Sequence, residues 1–109
     1  GRPNMDLRRK QTRSDAFGTA TPRIELCGEY DLSTKEEIAS LFGSLRAGGP
    51  AVIDMTKVTY IDSTFLHELA GLRSRFMPHP ITLLGVSEHL ERLFHIMNFD
   101  HLFEVVKAG

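Results

Sequence analysis

A single cysteine, Cys27, stands in the 109 residues. No intrachain disulfide can form, so packing alone must hold the fold, as suits a reducing compartment. Set among Ile24, Leu26 and Gly28, Cys27 reads as a small strand residue rather than a nucleophile. No apolar run approaches the roughly 20 residues of a membrane span. The first residues lack the apolar core of a secretory signal. A formal net charge of -1 gives no global attraction to nucleic acid. The one basic cluster, Arg8-Arg9-Lys10 with Arg13, lies in a polar stretch and reads as a solvated arm.

Catalytic signatures are also missing. Five histidines invite a metal reading, but His67-Glu68 is not followed by a second histidine at zinc-protease spacing. His89, His95 and His101 are six apart, which puts His89 and His95 on different helix faces, and no cysteine pair supports them. Gly48-Gly49-Pro50 ends a helix instead of opening one, and it lacks the lysine of a phosphate loop. A Ser-His-Asp centre would need a base fixed beside its serine. His67 sits one turn beyond Ser63 on the same helix, with no oxyanion site prepared. The sequence therefore asks for no cofactor, offers no metal set and does not read as an enzyme.

Hydrophobic residues make up 41% and charged residues 25% of the chain, proportions of one ordinary globular domain. Gly1-Arg2-Pro3-Asn4 ahead of Met5 reads as a tag remnant, and residues 1–20 as a flexible segment or a weak edge strand. The domain proper is expected over 21–109. Arg23 to Cys27 reads as a strand. Ser33 with Glu36 matches a capping box, and Ile38, Leu41, Phe42 and Leu45 follow at helical spacing. Ala51 to Met55 is a nearly continuous apolar run, suited to a strand covered on both faces. A short link then leads to a second apolar piece, Val58 to Ile61.

Phe65, Leu69, Leu72 and Phe76 mark a second helix, and Ile81 to Val86 another strand. Ser87 caps a third helix with the stripe Leu90, Leu93, Phe94 and Met97. Asn98 suits a left-handed stop, and Leu102 to Val106 reads as a last strand. Strands and helices alternate, which predicts an α/β domain with a mixed, mostly parallel sheet and helices packed against it.

The most informative stretch is Asp62-Ser63-Thr64, between a strand and a helix. Asp and Ser are both N-cap residues. A helix start also favours negative charge, so a phosphate there would be tolerated. Spacing leaves two readings of Ser63 open, a cap or a phosphoacceptor. Glu29 and Asp31 leave two as well: solvated turn acids, or acids sharing one rim of the sheet with Ser63.

Three motifs together resemble one family. Gly28-Glu29-Tyr30-Asp31-Leu32-Ser33 is similar to the acidic turn of STAS domains, the fold of bacterial anti-sigma factor antagonists. Val52-Ile53-Asp54-Met55 and Val58-Thr59-Tyr60-Ile61-Asp62-Ser63-Thr64 resemble their central strand and phosphoacceptor loop. Val86 to Phe94 and Phe99 to Val106 resemble their last helix and strand.

The resemblance implies a cytoplasmic regulator. It would bind an anti-sigma factor that is a serine kinase, and so release sigma. Phosphorylation of Ser63 would end that complex and a phosphatase would restore it, with no direct role for nucleic acid or membrane. It makes Ser63 the phosphoacceptor, and Asp31, Asp62, Thr64, Phe65 and His67 the partner-facing set. Exposed strand edges would permit a homodimer.

Where the family carries glycine and then a small residue, this chain has Phe65 and His67. Phe65 either turns inward as the first residue of the apolar stripe or stands beside Ser63 as an aromatic anchor. The same departure suggests an alternative, a constitutive STAS scaffold or subunit of a transporter-associated or stress-signalling assembly.

Overall fold

The computed structural model describes residues 21–108. The N-terminal segment 1–20, with its expected tag remnant and weak edge strand, lies outside the described residues. Strand β1 (Arg23–Tyr30) is followed by a 3-10 turn (Leu32–Thr34) and helix α1 (Lys35–Gly43). Then come β2 (Ala51–Ile61), α2 (Ser63–Phe76), β3 (Ile81–Val86) and α3 (Glu88–Ile96). A second 3-10 turn (Phe99–His101) leads to β4 (Glu104–Lys107). The sheet runs in the order β1-β2-β3-β4, and every described pairing is parallel.

Each crossover steps to the next strand in the same direction. Right-handed connections of that kind place all three helices on one face of the sheet. The core lies there: Leu26, Tyr30, Ile53, Met55, Leu83 and Val86 from the strands meet Ile38, Phe42, Phe65, Leu69, Leu72, Phe76, Leu90 and Phe94 from the helices. The opposite face carries Arg23, Val52, Thr82 and Glu104 in one row and Glu25, Asp54, Leu84 and Val106 in the next, by register. Val52 is only half-buried. Among the described residues, the continuous apolar run at 51–55 therefore does not mean helices on both faces.

Several expectations change in detail. The link expected at Thr56-Lys57 is strand, and β2 runs unbroken for 11 residues. The pairing with β1 slips twice, between Glu25 and Cys27 and between Gly28 and Glu29, each time with one extra residue on β2. Such bulges shift the alternation of faces, which is why the apolar pattern looks broken there. The capping box is not Ser33 with Glu36. It is Asp31 with Thr34, two residues earlier, around the 3-10 turn. The Ser33 hydroxyl donates to Asp31 Oδ1 at 2.6 Å and makes no cap of its own. Ser87 does cap α3, accepting from Leu90 N–H, and Asn98 is left-handed at φ 63°. Met97 lies just past α3 and is 47% exposed, so it is not part of the stripe. The last strand begins at Glu104, after a turn that uses Phe99–His101.

The first bulge of β2 is held by Asp54, whose Oδ1 accepts from the Thr56 N–H (2.9 Å) and hydroxyl (2.6 Å). Its Oδ2 accepts from Arg23 Nη2 at 2.6 Å. Asp54 is the buried charge among the described residues. The Thr56 hydroxyl, the Thr56 N–H and then Arg23 hold its carboxyl below the ordinary value of 3.8. A carboxyl whose folded pKa is depressed stabilises the fold above its unfolded pKa. That contribution is lost as pH falls through the folded value. Asp54→Asn keeps an acceptor but loses the charge. Its urea midpoint is expected to fall clearly at neutral pH and to approach wild type as the pH is lowered through the depressed folded value, where the native carboxyl is itself protonated. A deficit of equal size across that pH range would contradict this account.

Candidate functional site

The C-terminal ends of β1 and β2 meet at one rim of the sheet, where an open α/β sheet presents its loops. The register sets Glu29 against Tyr60 and Tyr30 against Ile61. The chain therefore leaves both strands side by side, and each strand ends on an aspartate, Asp31 and Asp62. Both are N-caps. Asp31 Oδ1 accepts from Ser33 N–H and hydroxyl while Thr34 Oγ1 accepts from Asp31 N–H. Asp62 Oδ1 accepts from Thr64 N–H at 2.9 Å and from Phe65 N–H at 3.3 Å.

The two readings of Ser63 separate here. The cap of α2 is Asp62. Ser63 is the first helical residue and is exposed, so its side chain is not spent on the helix. The hydroxyl stands at the positive end of a 14-residue helix, where the first N–H groups and the dipole favour an added anion. His67 is also exposed and lies four residues on, on the same helix face. Thr64 is half-buried.

Phe65 requires a correction. It is fully buried, in contact with the rings of Tyr30 (centroids 5.8 Å apart) and Phe42 (5.7 Å). It took the inward alternative, because the position two past Ser63 already points beneath the helix. It cannot touch a partner, and it leaves the space beside Ser63 clear.

Sequence reasoning missed Leu32 and Tyr60. Leu32 is 71% exposed and Tyr60 50% exposed. With Asp31, Ser33 and Asp62 they line an open cleft of about 460 Å³. The available signal was a hydrophobic residue between two cap residues in Asp31-Leu32-Ser33. Tyr60 gave no signal, because only the second bulge of β2 turns it out. Glu29 is exposed but does not line this cleft. The Ser33 hydroxyl first, then the N–H groups of Ser33 and Thr34, hold the Asp31 carboxyl below its ordinary 3.8 against a smaller opposing effect of burial. Asp31 therefore keeps its charge to lower pH than an ordinary carboxylate.

Elsewhere the histidines do not gather into a ligand set, and no cluster that could hold a metal ion occurs among the described residues. His95 Nδ1 lies 2.8 Å from Asp100 Oδ2, which raises the histidine's pKa and lowers the aspartate's. No helix among the described residues is long and apolar enough to cross a membrane.

Comparison with known proteins gives a consistent result. A family model described as "Mlab, STAS domain" matches residues 14–106. Among solved structures, the anti-sigma factor antagonist SpoIIAA in its unphosphorylated form is similar over 80% of this chain and 79% of that one. The TM-score is 0.58 and the sequence identity 17%, so the likeness is one of fold. No curated protein matches the chain.

Proposed function

The chain belongs to the STAS family, and from that membership we propose that it is an anti-sigma factor antagonist, switched by phosphorylation of Ser63. Its partner is an anti-sigma factor that is also a serine kinase, and both act in the cytoplasm. The carrying observation is the exposed, unspent hydroxyl of Ser63 at the start of α2, capped by Asp62. Unphosphorylated chain occupies the kinase and frees sigma. The kinase then brings the γ-phosphate of ATP to Ser63 Oγ. An O–P bond forms to the serine, the bond to the bridging β-γ oxygen breaks, the hydroxyl proton passes to a base of the kinase, and ADP remains. The chain contributes the acceptor and no catalytic group.

The phosphoserine carries about -1.5 to -2 charges. The helix start accommodates that charge, so the fold survives. At the interface it faces the phosphates of ADP and adds bulk between the two surfaces, and the complex separates. A loss of roughly 3 kcal/mol would weaken binding by about two decades. A phosphatase removes the phosphate and resets the cycle. Incubation with the cognate kinase and ATP is expected to add one phosphate to wild type and none to Ser63→Ala, read by intact mass. Ser63→Asp is expected to weaken the kinase complex by on the order of a hundredfold. Phosphate on any other residue would end this reading.

His67 favours a second reading, a constitutive subunit or scaffold in a transporter-associated or stress-signalling assembly. An imidazole on the face of Ser63 stands in the path of a kinase cleft. That reading predicts a partner whose affinity is unchanged by Ser63→Asp, measured by the same titration.

A further inference from the structure

The end of the domain away from Ser63 carries large apolar side chains that the fold does not bury. In a sheet of parallel strands joined by helices, every strand starts and every helix ends at that one end. Met77 follows α2, Ile96 closes α3 and Met97 follows it, and all three are exposed, Ile96 at 70%. Phe76 and Phe94 on the same helices are buried, so the core is closed without them. Arg73 joins two of these ends. Its Nε donates to Leu102 O at 2.9 Å, and its Nη1 lies 3.5 Å from Met77 Sδ. Arg75 donates to the Phe42 and Leu45 carbonyls at 2.7 and 3.0 Å, across the end of α1, and Arg46 just beyond is exposed. Of the carboxylates toward this end, Asp54 is held by Arg23 and Asp100 by His95, and Glu104 opens β4 on the face without helices.

The basic cluster Arg8-Arg9-Lys10 with Arg13 joins the domain here. It has four cations and no acid in six residues, and the chain runs from it through residues 14–20 to the start of β1. We propose that this end of the domain, with the basic arm, rests on an anionic lipid surface. Met77, Ile96 and Met97 reach the boundary between headgroups and acyl chains, while the arginines and the arm meet the lipid phosphates. One weak signal alone gives marginal attachment to a bilayer, and two together give a stable one. A basic arm by itself would suit nucleic acid equally well. The apolar tip decides for lipid, because a nucleic-acid phosphate backbone leaves those side chains in water. The contact is peripheral. It turns the Ser63 rim, at the other end of the strands, away from the bilayer, so it requires neither the phosphorylation of Ser63 nor its absence.

The test sediments the full chain with vesicles of phosphatidylcholine alone and of phosphatidylcholine with about 30% phosphatidylglycerol. Saturable binding is expected with the anionic vesicles only, falling as salt rises. Arg8→Gln, Arg9→Gln and Lys10→Gln together are expected to weaken it on the order of a hundredfold. Ile96→Ser with Met97→Ser is expected to weaken it by about tenfold or more. Both side chains are exposed, so the serine variant is expected to melt as wild type does. Met97→Trp reports the orientation, and its emission is expected to move to shorter wavelength on anionic vesicles. Thr59→Trp, exposed toward the Ser63 end of β2, is expected to show no such shift. Ser63→Ala is expected to bind as wild type does.

Failure to bind anionic vesicles, full binding by the serine variant, or equal shifts from the two tryptophans would overturn the proposal. So would mixed-sequence DNA that binds more tightly and displaces the vesicles. Vesicle binding without phosphorylation by the kinase would sink the switch and leave the lipid contact standing. Phosphorylation without vesicle binding would do the reverse.

Discussion

Phe65→Ala is expected to destabilise the domain by about 3–5 kcal/mol, the range for removing a fully buried aromatic ring. That is a large share of the roughly 5–15 kcal/mol that holds a small domain together. The ring has no exposure and sits between Tyr30 and Phe42, so it joins the end of β1, α1 and the first turn of α2. The loss should extend to the rim. Tyr30 Oη accepts from Cys27 N–H at 2.9 Å, across Gly28 in its left-handed conformation (φ +94°). A cavity beneath Tyr30 loosens the strand that delivers Asp31. Phe65→Leu fills more of the space and should cost clearly less. Urea unfolding of the three proteins checks the order. If alanine were tolerated within about 1 kcal/mol, far below the range for a lost core ring, the aromatic cluster would not be the hub described.

The second large effect is expected at Gly85. This residue is the extra one on β3 where the pairing with β4 slips, between Leu84 and Val86. Its φ is +72°, and a Cβ there would collide with the Thr56 hydroxyl and lie 3.1 Å from Thr56 Cβ. Two bulges on neighbouring strands therefore nest, and they do so because one of them has no side chain. Gly85→Ala combines left-handed strain, about 1–2 kcal/mol, with overpacking of about 1–3 kcal/mol. A melting temperature lower by about 4–8 °C for each kcal/mol is expected in a domain of this size. Thr56→Gly removes the colliding atoms, so the double variant should be less destabilised than the two single costs added together, by about 1 kcal/mol or more. Simple additivity would show that strain alone, and not the collision, sets the cost.

Ser63 and Asp62 show how far local chemistry carries the site. The Asp-Ser-Thr run announced a helix start, and Asp62 and Ser63 are both of residue types that cap one. The geometry assigned the cap to Asp62 because Oδ1 reaches the N–H groups two and three residues on. Only that assignment frees the serine. Asp31 followed the same rule one strand away. Its box lies two residues before the expected one, because a short 3-10 turn precedes α1 and cannot be told from the helix by the apolar spacing of Ile38, Leu41 and Phe42.

Tyr60 and Asp54 lie beyond such local rules. An extra residue in a strand is invisible in composition, yet it reverses the face of every side chain after it. Val58 and Ile61 are both buried with Tyr60 exposed between them, a spacing that a regular strand does not produce. Asp54 sits inside an apolar run, and nothing local says that Arg23, 31 residues earlier, will meet it.

The amino-acid order by itself determined the alternation of elements, the helical core stripes, the stop at Asn98 and the aspartates at both strand exits. Each of these depends on interactions within about four residues, the reach of capping and of one helical turn. Tertiary structure alone decided which side of the sheet is packed, that Phe65 is core, and that Leu32 and Tyr60 line one cleft. Those outcomes depend on register and crossover hand, which are settled only when strands distant in the chain pair and exclude water together.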